Sequence, residues 1–328
     1  FKEGLTWSHT TSGGFGMRYL PQGLLFNVEA PTLFVEDREY LYYILGCLNT
    51  GISQFFLDLT NSTQHYLVGN IMKLPLKYDE KKAQEVKNIV KECISLSKAD
   101  WNMSELSWNF ERSPLIAAFK GETIAVAYEK YKTEANKRFE KMRVLEERLN
   151  EIFAQIYGIH LDKKVSLKDI TVTKIFDDES QIEKEMKGNR YILTKADVIK
   201  DLISYGVGYI SGRYSVSETD KNIGRGLIPV TSKEYFENDI VTEFIKFLQD
   251  IFGKEKLEEN IEFIGSIFKG KGTARDKIRK YFISDFFKDH CKKYEKRPIY
   301  WQFDSGKKEG LKVQASSLSA RYSCTQAS

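Results

Sequence analysis

The 328-residue chain is poor in three chemically telling residues, with 4 cysteines, 4 histidines and 6 prolines. Cys47, Cys93, Cys291 and Cys324 are too few and too scattered for a disulfide framework or a zinc cluster. A reducing compartment, the cytoplasm, is expected. His9, His65, His160 and His290 never fall at metal-ligand spacing, so no metal site is predicted. No apolar run approaches the ~18 residues of a membrane span, and no signal-peptide pattern precedes the first strand-like segment. The chain opens on Phe1 rather than Met and reads as a piece of a longer protein.

Familiar catalytic punctuation is also missing. No Gly-x-Ser-x-Gly elbow occurs. Gly270-Lys271-Gly272-Thr273 lacks the spacing of a nucleotide phosphate loop and follows no strand. Its simplest reading is a helix–helix turn with an N-cap, although a helix N-terminus beside Lys271 and Arg275 suits a DNA phosphate. Ser12 to Gly16 is glycine-rich but precedes no helix, so it is not a dinucleotide fingerprint. The prolines follow Leu20, Ala30, Leu74, Ser113, Ile228 and Arg297, which excludes an Asn-Pro-Pro or Asp-Pro-Pro element. No catalytic and no cofactor-binding residue is assigned.

What is present is the material of a core: 41% apolar and 13% aromatic residues, enough for about two domains on size. The net charge of +4 hides an asymmetry. Lys269 to Lys312 holds 14 Lys and Arg against 6 Asp and Glu, a local +8 on a remainder of -4. Such a segment points either to a polyanion contact or to a solvated helix face.

The hydrophobic period changes along the chain. Residues 1 to about 35 are short β-prone runs, with Pro21-Gln22-Gly23 suggesting a hairpin between 15–20 and 24–28. Leu41 to Leu59 steps at helical spacing through Gly46 and Gly51. Val68 to Leu74 is a candidate strand, and Asp79 an N-cap. Tyr131 to Ile156 keeps a 3/4 alternation, predicting a coiled-coil-like helix from about Ala117 to Tyr157 that needs a partner helix. Thr194 with Asp197, Asp239, and Thr273 with Asp276 mark further helix starts, and Ile299 to Phe303 reads as a strand. The fold class is α+β: a small mixed N-terminal domain, a long helical arm and a mainly helical C-terminal domain. The expected segments are 1–78, a helical connector at 79–160, a linker at 161–190, a helical domain at 191–312 and a disordered tail at 313–328.

Several stretches together resemble the BREX-system adenine-specific DNA methyltransferases, the PglX-like phage-defence enzymes. They are Gly4-Leu5-Thr6-Trp7 through Met17-Arg18-Tyr19-x-Pro21-x-Gly23, and Leu45-Gly46-Cys47-Leu48-Asn49 leading to Val68-Gly69-Asn70-Ile71. More specific are Asp100-Trp101 to Ser107-Trp108-Asn109-Phe110, Ser204-Tyr205-Gly206-Val207-Gly208 to Tyr214, Glu234 to Val241, and Asp289-His290-Cys291-Lys292 to Tyr300-Trp301. The resemblance covers roughly residues 1 to 312. It departs where the family's Asn-Pro-Thr element meets Asn61-Ser62-Thr63 here, and beyond Lys312.

The resemblance implies a C-terminal part lacking the catalytic domain. Residues 1–78 would be the target-recognition region, with the methyl-transfer domain upstream and S-adenosylmethionine the cofactor of the intact parent only. This segment is expected to be inactive alone. Double-stranded DNA and other BREX-system proteins are the implied partners. Ser8, Thr10, Thr11 and Ser12 would contact phosphates or base edges, Arg18 a guanine, and Asn61, Thr63, Gln64 and His65 form a second polar cluster. Turn chemistry is the competing reading of each. Lys271, Arg275, Lys277, Arg279, Lys280, Lys292 and Lys293 would neutralise phosphates. Trp101, Trp108 and Trp301 are read as packing anchors. The alternative function is a protein-interaction scaffold for other defence components, without direct DNA contact.

Overall fold

The computed structural model describes residues 2–11, 13–61, 63–160, 164–214, 226–306 and 312–316. In chain order the first elements are β1 (Gly4–Trp7), β2 (Met17–Leu20), β3 (Thr32–Leu33), α1 (Arg38–Leu48), α2 (Gly51–Thr60), α3 (Val68–Met72), α4 (Glu80–Trp101), α5 (Pro114–Ala118) and α6 (Ile124–Tyr157). Then come β4 (Lys174–Phe176), β5 (Ile192–Thr194), α7 (Lys195–Ile210), β6 (Leu227–Val230), α8 (Ile240–Phe252), α9 (Leu257–Gly265), α10 (Ala274–Ser284), α11 (Phe286–Lys293), β7 (Tyr300–Asp304) and β8 (Lys312–Ser316). The class is α+β, as expected from the sequence.

Two compact units are interleaved along the chain rather than laid out in sequence. The first takes residues 1–99, 137–172 and 184–191, the second 100–136, 173–183 and 192–328. The expected segmentation is corrected in this respect. The seam of α6 serves two cores: residues up to Asn136 belong to the second unit, and those from Lys137 to the first.

In the first unit β1 is the centre of an antiparallel sheet in the order β2-β1-β3. The register pairs Gly4 with Leu20 and Trp7 with Met17. Among the described residues no strand pairs with the outer edge of β2, so the predicted 15–20/24–28 hairpin is not formed. The Asn27 side chain instead accepts from the N–H groups of Glu29 and Ala30, making a turn. The helical run from Leu41 breaks at Asn49, whose amide accepts from Met17 N–H and donates to its carbonyl and that of Leu45. The expected strand at Val68 is α3. Asn70 accepts from Leu67 N–H and so caps a helical turn that the β-branched residues alone would not favour. The partner of α6 within this unit is α4. Val86, Val90, Leu149 and Ile152 share one core, and Arg148–Glu85 and Lys141–Glu92 ion pairs flank it. Gly46 is where α1 approaches them; a Cβ there would lie 2.9 Å from Val90 Cγ2.

The second unit is mainly helical around Tyr205, Phe244, Phe247 and Phe282. Its two predicted capping boxes form, Thr194 with Asp197 and Thr273 with Asp276, and the helix expected from Asp239 is capped by it, the side chain accepting from Thr242 N–H. The expected 161–190 linker carries buried Ile170, Val172, Ile175 and Met186 and the strand β4, paired parallel to β5. Apolar burial in both units makes it structure rather than tether. The tail expected to be disordered from Val313 supplies β8, the central strand of the sheet β6-β8-β7. Residues 317–328, including Cys324, lie outside the described residues.

Gly206 and Gly208 of α7 are packing glycines. A Cβ on Gly206 would sit 2.8 Å from the Phe244 ring, and one on Gly208 2.4 Å from the Tyr214 ring. Tyr214 stacks on Tyr205 at 4.7 Å and 5°. Gly208→Ala must displace the half-buried Tyr214 ring, and overpacking of that kind costs about 1–3 kcal/mol. Urea unfolding of the variant checks it; an unchanged midpoint would show that Tyr214 moves freely.

Candidate nucleic-acid interface

The two polar clusters of the N-terminal region, far apart in sequence, are brought together. Trp7 is buried and its Nε1 donates to the Tyr66 carbonyl at 2.8 Å. That fixes the chain leaving β1 against the chain leaving α2. The Tyr66 N–H donates to His9 carbonyl at 2.7 Å, and Thr11 N–H to Gln64 carbonyl at 3.2 Å. Thr10 and His65 face each other as a bridge, with Thr10 Oγ1 and His65 Nδ1 2.9 Å apart.

The side chains in this patch divide into two groups. Asn61 Nδ2 donates to the His65 carbonyl, and Thr63 Oγ1 donates to Asn61 Oδ1 at 3.0 Å. These two close the turn, the role the competing reading gave them. Ser8, Thr10, Gln64 and His65 are exposed. Ser12 lies outside the described residues. Arg18 is exposed on β2 opposite Thr6. Sequence reasoning missed His9, whose ring lies 5.5 Å from that of His65. It also missed Gln54, whose Oε1 accepts from Phe15 N–H and holds the glycine-rich loop. Neither has a local sequence signal. Hydroxyl, amide and imidazole groups on one surface offer both donors and acceptors to base edges and phosphates.

The basic segment of the second unit separates more sharply. Lys271, Lys280 and Lys292 are exposed, and Lys277 is half-buried. Arg275 makes a two-pronged pair with Glu258 at 2.7 and 2.5 Å. Arg279 is buried, bonded to Asp239, to the Thr231 carbonyl at 3.1 Å and to Glu234. Asp239 is 0% exposed, so its carboxylate requires that guanidinium. Arg279 is therefore a core residue, correcting its assignment to phosphate. The N-terminus of α10 is closed by its own capping box rather than open to an anion.

Lys293 is corrected in the same way. Its Nζ donates to Glu105 at 2.7 Å and to Asp201 at 2.8 Å. Glu105 is buried in the Trp101–Pro114 connector and also accepts from Ser204 Oγ at 2.7 Å and Tyr214 Oη at 2.9 Å, with Arg213 at 4.0 Å. Burial alone would raise the Glu105 carboxyl. The Lys293 ammonium, the Ser204 hydroxyl and the Arg213 guanidinium hold it below the ordinary value. Burial opposes charge on Lys293 too, and the two carboxylates outweigh it, raising its pKa. Beside them His290 Nε2 accepts from the N–H groups of Ile299 at 3.0 Å and Tyr300 at 3.3 Å, tying α11 to β7.

A cavity of about 240 Å³ opens in the first unit among Trp7, Leu33, Ile44, Phe56, Ile71 and Leu74. Met72, on its rim, is 79% exposed. Among the described residues no group of three His, Cys, Asp or Glu side chains is placed to hold a metal, and no helix is long and apolar enough to cross a membrane.

No protein-family model matches the chain. The adenine-specific methyltransferase PglX of Lacticaseibacillus casei (strain Zhang) is 32% identical over 339 aligned residues, covering 95% of this chain. The adenine-specific methyltransferase BrxX of Escherichia coli O9:H4 (strain HS) is 32% identical over 345, again covering 95%. The chain is PglX-like over nearly its whole length. It spans only about a quarter of these relatives, 26% of PglX and 28% of BrxX. The stretches that carry the PglX resemblance have definite places in the second unit. Ser204 bonds Glu105, Gly206 and Gly208 admit neighbouring rings, Asp239 caps α8 and pairs with Arg279, and His290 fixes β7.

Proposed function

We propose that this PglX-like chain is the DNA-recognition and clamp portion of a phage-defence (BREX) N6-adenine DNA methyltransferase. Methyl transfer and the S-adenosylmethionine site belong to parts of the parent outside these 328 residues. The observation that carries the reading is the joined polar surface of Thr10, Gln64 and His65 in the first unit, with Arg18 exposed on β2 of the same unit. Enzymes that modify a base inside a duplex extrude it, and a separate surface must read the flanking base pairs. Double-stranded DNA is the partner, met in a reducing cytoplasm, with other BREX-system proteins completing the assembly.

Electrophoretic titration of duplex DNA against the chain tests this. Binding weakens with salt, each phosphate contact adding about -0.9 to the slope of log K against log salt. Arg18→Ala costs about 1–3 kcal/mol on preferred sequences and flattens sequence preference. No retardation of any duplex at low salt ends the reading for this chain.

One observation favours the second reading, a protein-docking scaffold: the apolar cavity and its exposed Met72 rim. Reversing Lys271, Lys280 and Lys292 to Glu separates the two. Lost duplex binding supports recognition. Unchanged duplex binding in that variant, with association to a defence-system protein lost in a separate Met72→Glu variant, supports docking.

A further inference from the structure

Trp108 is 91% exposed, although the residues on either side of it are firmly held. Glu105 and Ser107 are buried. Ser107 Oγ donates to Asn102 Oδ1 at 3.0 Å and accepts from Asn109 N–H at 3.2 Å. Phe110 sits edge-on to Tyr205 and Tyr214, with centroids 6.0 and 5.7 Å away. The expectation that Trp108 anchors packing is thereby corrected. The loop is locked, and the largest apolar side chain on it points to solvent. Locking of this kind removes the ordering cost that an exposed ring on a loose loop would meet on binding.

The surroundings indicate what the ring meets. Lys293 is bonded to Glu105, so the end of α11 lies against this loop. Lys292, Lys296 and Arg297 are exposed there, and Arg112 is exposed on the loop's other flank. Glu111 and Glu295 are the exposed acids of the same stretches, leaving cations in excess. An indole has a wide π-face and one N–H donor, so it selects flat partners rather than hydrogen-bonding edges. An aromatic face among lysines and arginines suits a nucleobase whose phosphates need neutralising.

We infer that Trp108 stacks on an unpaired DNA base, presented by a loop that the Glu105 cluster holds rigid. This rests on the DNA-recognition reading and deepens it, since base extrusion leaves an unstacked base or gap in the duplex. Guanidinium and ammonium groups at the loop's flanks hold the backbone on either side of that base.

The test uses the whole 328-residue chain with Trp108→Ala and Trp108→Phe, a fully paired duplex, and the same duplex with one bulged base. Trp108 is exposed, so both variants keep the parent's thermal midpoint. Trp108→Ala loses roughly 5- to 100-fold in affinity for the bulged duplex, the range of one aromatic stack. Trp108→Phe retains most of it, and the fully paired duplex is bound nearly as before. The bulged duplex quenches indole emission in the parent and not in Trp108→Phe. Equal binding of the bulged duplex by parent and Trp108→Ala overturns the inference while salt-sensitive binding of the paired duplex leaves the recognition reading standing. An equal loss on both duplexes also overturns it, because Trp108 would then be an ordinary backbone contact. If the parent binds neither duplex, both readings fall.

Discussion

Glu105→Ala lowers the unfolding free energy by about 3–5 kcal/mol, the range for removing one member of a buried ion pair. The size follows from what remains. Lys293 keeps only Asp201, a half-exposed carboxylate, and Ser204 and Tyr214 lose their common acceptor. Glu105→Gln divides the loss, because an amide oxygen still accepts from the two hydroxyls but carries no charge for Lys293. The double variant Glu105→Gln/Lys293→Met is less destabilised than the sum of its singles, since the second change removes the stranded ammonium. Urea unfolding at constant m-value reads the parent and four variants, the single Lys293→Met included. A loss below about 1 kcal/mol for Glu105→Ala is the behaviour of an exposed pair. It would mean that water reaches the cluster and that the Trp108 loop is not locked.

Structure set by neighbours in the chain was legible beforehand; structure set by distant partners was not. The Thr194–Asp197 and Thr273–Asp276 boxes and the Asp239 cap are three-residue signals, and each helix begins where its signal stands. Residues 24–28 have the residue types of a strand, yet Asn27 folds them into a local turn with Glu29 and Ala30, and β2 pairs with β1 instead. The pairing of β8 with β6 and β7 joins residues scattered over the second unit, beyond the reach of any window of sequence. The 3/4 seam of α6 was visible, but periodicity cannot say that its halves face different cores.

The candidate site follows the same rule. Polar residue types at 8–11 and 61–65 marked both loops, while the Thr10–His65 bridge that unites them depends on long-range backbone pairing. Lysine and arginine between 269 and 312 form one basic run in the sequence, and the sequence does not reveal which acids they meet. Asp239 takes Arg279 and Glu105 takes Lys293, leaving Lys271, Lys280 and Lys292 outward. Trp108 departs from expectation in the opposite direction, since tryptophan is on average well buried and here Glu105 and Ser107 are buried while the indole is not.

Acidification from pH 7 to pH 4 removes about 3 kcal/mol of stability through His290 alone. The imidazole is buried, and that burial, with Lys293 and Arg213 adding to it against the opposing pull of Glu105, lowers its pKa from 6.5 to about 4. Its Nε2 accepts two backbone N–H groups, so the neutral ring carries its proton on Nδ1. A depressed pKa fixes the sign. Between about 6.5 and about 4 the unfolded chain binds a proton that the folded chain refuses, so stability is complete above the upper value and drains as pH falls through the window. Glu105 acts in the same direction but lower, because its carboxyl is held below 4.5. Burial pushes the Glu146 carboxyl up to about 7, so it gains stability for the fold as pH falls over the same interval, and only the difference between the parent and a His290 variant from pH 7 to pH 5 isolates the histidine. His290→Gln keeps an acceptor for the Ile299 and Tyr300 N–H groups and does not titrate. Its unfolding free energy, measured in urea across this interval, falls by about 2 kcal/mol less than the parent's. A parallel decline in both proteins would assign the acid sensitivity to other groups and leave His290 charged or solvated in the fold.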